Sequence, residues 1–304
     1  MQIFYSTILF FMLLVGLTSC GGDNFPQQPD PDFKPKNTFM RFEKQQAPVV
    51  LVDEAHHNFH TIDTRYKAFA QVLKSDGYQV KPNKQRFSQK SLAKGEILVI
   101  ANALHESNSR NWDGPFLSAF TAEEVDAVST WVNQGGALLL IADHIPFPKA
   151  VDELAKAFGF EFANGHVQQM TFSKSNNMLN YHPLLDSTAR TGRVTQVKSL
   201  GGDAFKVPKA AVNLMQVPAG IMAVLPDRPF AVNDETPRLP IEGWSQGAVL
   251  NVGNGRVAVF AEASMFTSQV YMPTGKKTGL VSPGAEQNER FLLNVMHWLA
   301  NKGS

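Results

Sequence analysis

Cysteine is almost missing from this chain: its 304 residues hold a single one, Cys20. With no second thiol, no internal disulfide can form. Long apolar runs are missing beyond the N-terminus, so nothing later in the sequence is long enough to cross a bilayer. An excess of one charge is missing too. The formal net charge is +1, which gives no electrostatic case for nucleic acid or for an anionic membrane surface. What remains is ordinary globular composition, 43% apolar and 18% charged, enough for one large domain or two small ones.

The lone cysteine is informative by its place. It follows the apolar run Ile8 to Leu17 in the tetrapeptide Leu17-Thr18-Ser19-Cys20, the pattern of a bacterial lipoprotein signal cleaved before a lipid-bearing cysteine. The n-region Met1-Gln2-Ile3 carries no Lys or Arg. The expectation is a signal peptide over 1–20, lipid attachment at Cys20, and export to the cell envelope with membrane anchoring through that lipid. Residues 21–46, rich in Pro, Gly, Gln and Asp early on, read as a flexible tether. One domain is expected over 47–301.

Within it, short β-branched runs alternate with helical periodicity. Val49 to Val52 reads as a strand buried on both faces, followed at once by Asp53, Glu54, His56, His57 and His60. A helix with Tyr66, Phe69, Ala70 and Leu73 inward ends at Gly77, and Tyr78 to Val80 follows as an edge strand. Ile97 to Ala101 is a second buried strand, ending at Asn102, with a loop over 106–116. Thr121 and Glu124 form a capping box, with Phe120 and Val125 as its staple. Gly135-Gly136 stops that helix before a third buried strand, Ala137 to Ala142, which ends in Asp143-His144. Pro148 opens another helix.

From about 165 to 244 the chain turns to short β-like runs, read as a β-rich excursion from the main sheet. His166 and His182 fall there and read as structural. A Gly-rich hairpin carries Arg256 to Ala261 into the core, ending at Glu262, and a last helix runs from about 286 to 300 with His297 near its exposed C-terminus.

Alternating strands and helices predict an α/β fold with a doubly wound, mostly parallel sheet. The first strand should lie between the edge strand and the one ending in Asn102. Ligands bind beyond the carboxyl ends of such strands, at the switch point. Asp53, Asn102, the Asp143-His144 pair and Glu262 should therefore meet in one crevice, a candidate site.

Four segments carry a resemblance: Asp53-Glu-Ala-His56, Ile100-Ala-Asn-Ala-Leu104, Trp131-Val-Asn-Gln-Gly-Gly-Ala-Leu-Leu-Leu-Ile-Ala-Asp-His144, and Gly255-Arg-Val-Ala-Val-Phe-Ala-Glu-Ala-Ser-Met-Phe266. Together the chain resembles the class I glutamine amidotransferase-like superfamily, and within it an exported branch carrying a domain of unknown function. The resemblance implies a flavodoxin-like sheet. The superfamily's amidotransferases use a cysteine after a central strand, a position that falls here near Asp143-His144. With Cys20 in the signal, no thiol remains to attack a glutamine amide. Relatives of the trehalose-utilisation type place a histidine after the equivalent Gly-Gly strand, which implies a carbohydrate substrate by analogy.

Hydrolysis of a glycan or another small-molecule or envelope-related substrate is the expected activity, and three arrangements could activate its water or nucleophile. His56 or His60 with Asp143 or His144, and with Glu262 as a further ligand, could hold a divalent metal ion. Without a metal, Asp53 or Asp143 could act as base and a histidine as acid, with Asn102 on the substrate oxygen. Ser264 with His144 is the third, although no glycine elbow surrounds it. The alternative is a non-catalytic envelope lipoprotein that binds a sugar polymer, with Trp112 or Trp244 as a stacking surface.

Overall fold

The computed structural model describes residues 25–186 and 192–301. The expected signal and its Cys20 lie outside the described residues. Strands in chain order are β1 (Gln27–Pro29), β2 (Val49–Asp53), β3 (Gln79–Asn83), β4 (Ile97–Ala101), β5 (Ala137–Ile141) and β6 (Glu161–Phe162). The insertion and the return follow as β7 (Met170–Ser173), β8 (Gln196–Ser199), β9 (Phe205–Lys206), β10 (Val212–Gln216), β11 (Met222–Val224) and β12 (Arg238–Pro240). The last are β13 (Ser245–Val252), β14 (Gly255–Phe260), β15 (Ser268–Tyr271) and β16 (Lys276–Gly279). Between them lie helices α1 (Lys67–Ser75), α2 (Gln89–Leu92), α3 (Ala122–Asn133), α4 (Phe147–Ala157) and α5 (Asn288–Ala300).

The central sheet runs β3-β2-β4-β5-β14-β13-β9-β6, with β10 also pairing to β13. The first five strands are parallel, with Val50 facing Ile97 and Leu139 facing both Val99 and Ala258. As expected, β2 sits between the edge strand β3 and β4. Every residue of β4 and β5 is buried, which explains their unbroken apolar sequence. Side chains alternate between two cores. Val50, Val52, Ile97, Val99, Leu139 and Ile141 pack with α1 and α5, whereas Leu51, Leu98, Ile100, Leu138 and Leu140 pack with α3 and α4. Each such side chain contributes roughly 1.5–3 kcal/mol by leaving water.

The sheet departs from the mostly parallel expectation. β13 and β14 are joined by a tight turn at Gly253-Asn254 and must run antiparallel, and β9, β6 and β10 extend that antiparallel half. The fold is thus a mixed α/β sheet with a parallel block at one side. The 165–244 segment is correspondingly less separate than expected, because β9 and β10 belong to this sheet. Its remainder forms the hairpins β7–β8 and β11–β12.

The expected tether is likewise ordered from Phe25 onward. β1 adds to a small sheet with β15 and β16, Phe33 is buried, and Glu289 of α5 accepts the backbone N–H groups of Lys36 and Asn37 at 2.7 and 2.8 Å. Its polar composition hid these few anchoring contacts. His297, expected at the surface, is buried against Asp76, with 2.5 Å between Nε2 and Oδ2. No helix among the described residues is long and apolar enough to cross a membrane.

Gly202 shows how tightly the insertion is drawn against β14. Its φ is +90°, and a Cβ there would stand 2.1 Å from the Ala261 carbonyl oxygen and 2.9 Å from Glu262. Gly202→Ala should therefore cost on the order of 1–3 kcal/mol, read as a lowered urea midpoint. An unchanged midpoint would show that this approach is looser than described.

Candidate functional site

The residues beyond the carboxyl ends of the parallel strands divide into two groups. The first surrounds His56. Its Nδ1 lies 2.9 Å from both oxygens of Asp53 and its Nε2 lies 2.8 Å from Glu124 Oε1, while the ring packs between Phe87 and Phe120. Glu124 is the capping-box residue of α3 and also accepts from the Phe87 N–H and from Arg86. Burial lowers the His56 pKa, but hydrogen bonds and charge from Asp53 and Glu124 outweigh it and raise it above 6.5. Burial likewise raises Glu124, yet bonds from Thr121, His56 and Phe87 hold it below 4.5. His56 is thus an imidazolium clamped by two carboxylates. Neither it nor Asp53 is available to a substrate, which corrects their expected catalytic roles.

The second group is built around Asn102, which closes β4 in the left-handed region at φ +50°. Its Oδ1 accepts the Asp143 N–H at 2.8 Å, which turns its Nδ2 toward His60 Nδ1 at 3.2 Å. Nδ1 of His60 must then be the acceptor. Burial, with Arg65 and His144 nearby, drives the His60 pKa well below 6.5, so the ring is neutral and carries its proton on Nε2. That Nε2 is buried with no partner among the described residues.

Asp143 Oδ1 accepts the His144 N–H at 2.9 Å and Oδ2 the Ala263 N–H at 3.3 Å. Glu262 accepts from Ser264 at 2.6 Å, Met265 at 2.8 Å and Leu200 at 3.3 Å. Despite those donors, burial and the charge of Asp143 push Glu262 up to about 8. A third carboxyl, Asp203, accepts from Asn164 and Gly165 and is pushed up to about 7, by burial first and Asp143 in addition. Near neutral pH the group therefore holds fewer charges than carboxyls.

His144 is half-buried. Its Nδ1–H donates to the Ile145 carbonyl at 2.6 Å, which fixes the tautomer with a lone pair on Nε2. Nε2 has no hydrogen-bond partner among the described residues. The ring stacks on His166 at 4.7 Å and meets Phe230 at 4.9 Å, Phe147 at 5.8 Å and Trp112 at 6.3 Å. Burial and His144 together lower His166 to about 4.

The strand ends therefore bring Asn102, Asp143, His144 and Glu262 together with His60, and leave Asp53 and His56 to one side. Among the described residues no side-chain hydrogen bond or ion pair links the two groups. Ser264 Oγ makes no bond to His144. The expected metal set of His56, His60, Asp143 and His144 does not assemble: His56 is protonated with both nitrogens bound, and among the described residues no three His, Cys, Asp or Glu side chains form a group able to hold a metal ion. Sequence reasoning missed Asp203, Phe230 and the site position of His166, all in the insertion, where no periodicity marks them. It also missed the Glu124 pairing, which the capping box concealed. A neighbouring depression of about 610 Å³ includes His57, Asn58 and Arg110 but none of the clustered carboxyls.

No protein-family model matches the sequence, and no curated protein matches it. Among solved structures the chain is similar to the mmIFT52 N-terminal domain, with a TM-score of 0.58 at 16% identity over 83% of this chain and 97% of that one. That likeness extends to the fold alone. A cytoplasmic protein, STM1381, from Salmonella typhimurium LT2 gives a TM-score of 0.46 at 12% identity, covering 83% of this chain and 99% of that one. A protein described as ThuA-like from Bacteroides uniformis also gives 0.46 at 12%, covering 85% and 94%.

The two-carboxylate clamp predicts a stability effect. His56→Ala leaves Asp53 buried without its cation and Glu124 with only the exposed Arg86, and should cost about 3–5 kcal/mol. The raised His56 pKa contributes stability that is complete below 6.5 and fades as pH rises through its folded value. The lowered Glu124 pKa contributes above 4.5 and fades as pH falls through its own. Urea titrations should accordingly find the gap between parent and variant widest between those limits, and a gap independent of pH would contradict the clamp.

Proposed function

We propose that the protein is an exported, lipid-anchored hydrolase whose water-activating base is His144. One observation carries the reading: a half-exposed imidazole with its Nδ1–H held by the Ile145 carbonyl and its Nε2 lone pair unengaged. In the proposed step Nε2 takes a proton from water as the oxygen attacks the scissile centre. The imidazolium then returns that proton to the leaving group, and its transient charge is favoured by the negative charge held among Asp143, Glu262 and Asp203.

The flavodoxin-like superfamily reading rests on the sequence motifs, and it favours a glycan or envelope-related substrate by analogy. The aromatic pair Trp112 and Phe230 beside His144 supports such a substrate, since sugar rings stack on aromatic faces. A second reading, a glycan-binding lipoprotein without turnover, is favoured by one feature: both oxygens of Asp143, Glu262 and Asp203 already accept backbone N–H groups.

Screening the purified protein against aryl glycosides, envelope glycans and esters should find turnover. His144→Gln should then lower kcat by roughly 10²-fold or more at an unchanged urea midpoint, and Trp112→Ala should chiefly raise KM. Glycan binding retained by His144→Gln, with no turnover by the parent on any substrate class, would replace the hydrolase with the binding protein.

A further inference from the structure

The chain from Phe25 onward is strapped to the residues beside His144. Phe25 stacks on Trp112 at 5.9 Å and meets Phe59 edge-on at 4.8 Å, and the Arg65 guanidinium lies over both Phe25 and Phe59, at 4.9 and 3.7 Å. Behind it, Gln27, Gln28 and Pro29 pair with Tyr271, Val270 and Gln269. Asp30 then pins the strap from a buried position, accepting from Lys277 Nζ at 2.7 Å, Ser268 Oγ at 3.1 Å and the Asp32 N–H at 3.0 Å.

Trp112, the ring under Phe25, is also in contact with His144. The surroundings of the strap are apolar and exposed: Phe25 is 40% accessible, Met272, whose N–H donates to the Pro26 carbonyl, is 60%, and Phe230, against His144, is 51%. Isolated exposed apolar side chains are ordinary, but three linked through the strap, Trp112 and His144 mark a surface that meets something apolar.

Chain length says what that is. From Cys20 to Phe25 the backbone can span at most about 18 Å, whereas an unattached tether over 21–46 would wander over roughly 30 Å and leave the domain free to turn. Accepting the anchored reading of Cys20 on which this rests, we infer that the strap holds the domain with the face bearing His144 toward the bilayer. The substrate is then membrane-borne: a molecule with a polar, hydroxyl-rich headgroup, which meets His144, on an apolar tail that stays in the lipid. Phe25, Met272 and Phe230 rest at the headgroup boundary, and the near-neutral charge of the chain is no obstacle, because lipid and apolar contact supply the attraction.

Full-length protein matured in a lipidating bacterial host and reconstituted into phosphatidylethanolamine–phosphatidylglycerol vesicles tests this. Lipid occupies the sole native cysteine, so single nitroxide labels can be placed by Met272→Cys beside the strap and by Asn254→Cys in the β13–β14 turn at the opposite edge of the sheet. The Met272 label should lose accessibility to a water-soluble nickel chelate and gain accessibility to oxygen, while the Asn254 label stays aqueous. Asp30→Ala should abolish that difference without releasing the protein from vesicles. Equal aqueous exposure of both labels, in protein that floats with vesicles and carries lipid on Cys20 by mass spectrometry, overturns the orientation and leaves the anchor standing. Absence of lipid on Cys20 overturns the anchored reading and the orientation with it.

Discussion

The carboxamide of Asn102 is the interaction on which the rim of the sheet depends. A side-chain amide has one acceptor end and one donor end, and here the acceptor end fixes the backbone of Asp143 after β5 while the donor end fixes the ring of His60 after β2. Its main chain adds two more ties, donating to Ile141 and accepting from Phe59. Three strand termini are thereby held in register by one residue. The left-handed φ required for this is one that asparagine tolerates better than most residues. Aspartate there would reverse the second bond, since an ionised carboxylate has no donor to give and His60 would have to carry its proton on Nδ1.

Buried charge around this point is managed in two different ways. Near α3 two carboxylates are balanced by one imidazolium and, at the outer oxygen of Glu124, by the Arg86 guanidinium, with good geometry. Near β14 three carboxyls lie within one another's field without a buried cation among their hydrogen-bond partners. They avoid the cost of full ionisation by holding protons at higher pH, Asp203 to about 7 and Glu262 to about 8. The unfolded chain loses these protons near 4 while the fold keeps them, so this group lowers stability as pH rises from about 4 toward 7 and 8, and no further above that. The fold carries that penalty next to a half-exposed histidine.

Much of this architecture was legible in the sequence, for identifiable reasons. The parallel strands announced themselves because burial on both faces demands unbroken apolar runs, and the Thr121–Glu124 box is a local device that needs no tertiary context. The rim was legible as a set of residues but not as roles. His56 and His60 stand four residues apart in similar sequence surroundings. One is held charged by Asp53 and a glutamate 68 positions away; the other is held neutral by burial, with its tautomer set by an asparagine 42 positions away. Nothing local distinguishes them. The insertion was least legible, because its contribution, Asp203 with His166 and Phe230, comes from short strands and turns whose positions are set by contact with β13 and β14, not by any period of their own.

The N-terminal segment shows the same limit from the other side. Composition assigned it to solvent, and by apolar burial alone that was reasonable: ordering its backbone costs about 1–2 kcal/mol per residue, and Phe33 is its one large buried side chain before Phe42. What offsets the cost is a small number of specific contacts spaced along it. The Phe25 ring engages Trp112, Asp30 is bound by Lys277, and two backbone N–H groups share one oxygen of Glu289. In the fold Asp30 ionises more readily than its ordinary value: burial opposes its charge, but the bonds from Lys277, Asp32 and Ser268 outweigh that opposition. A segment held at points in this way belongs to the least stable part of the molecule. Its attachment ends on the same tryptophan that flanks His144, so any force on the N-terminus is delivered first to the wall of the site.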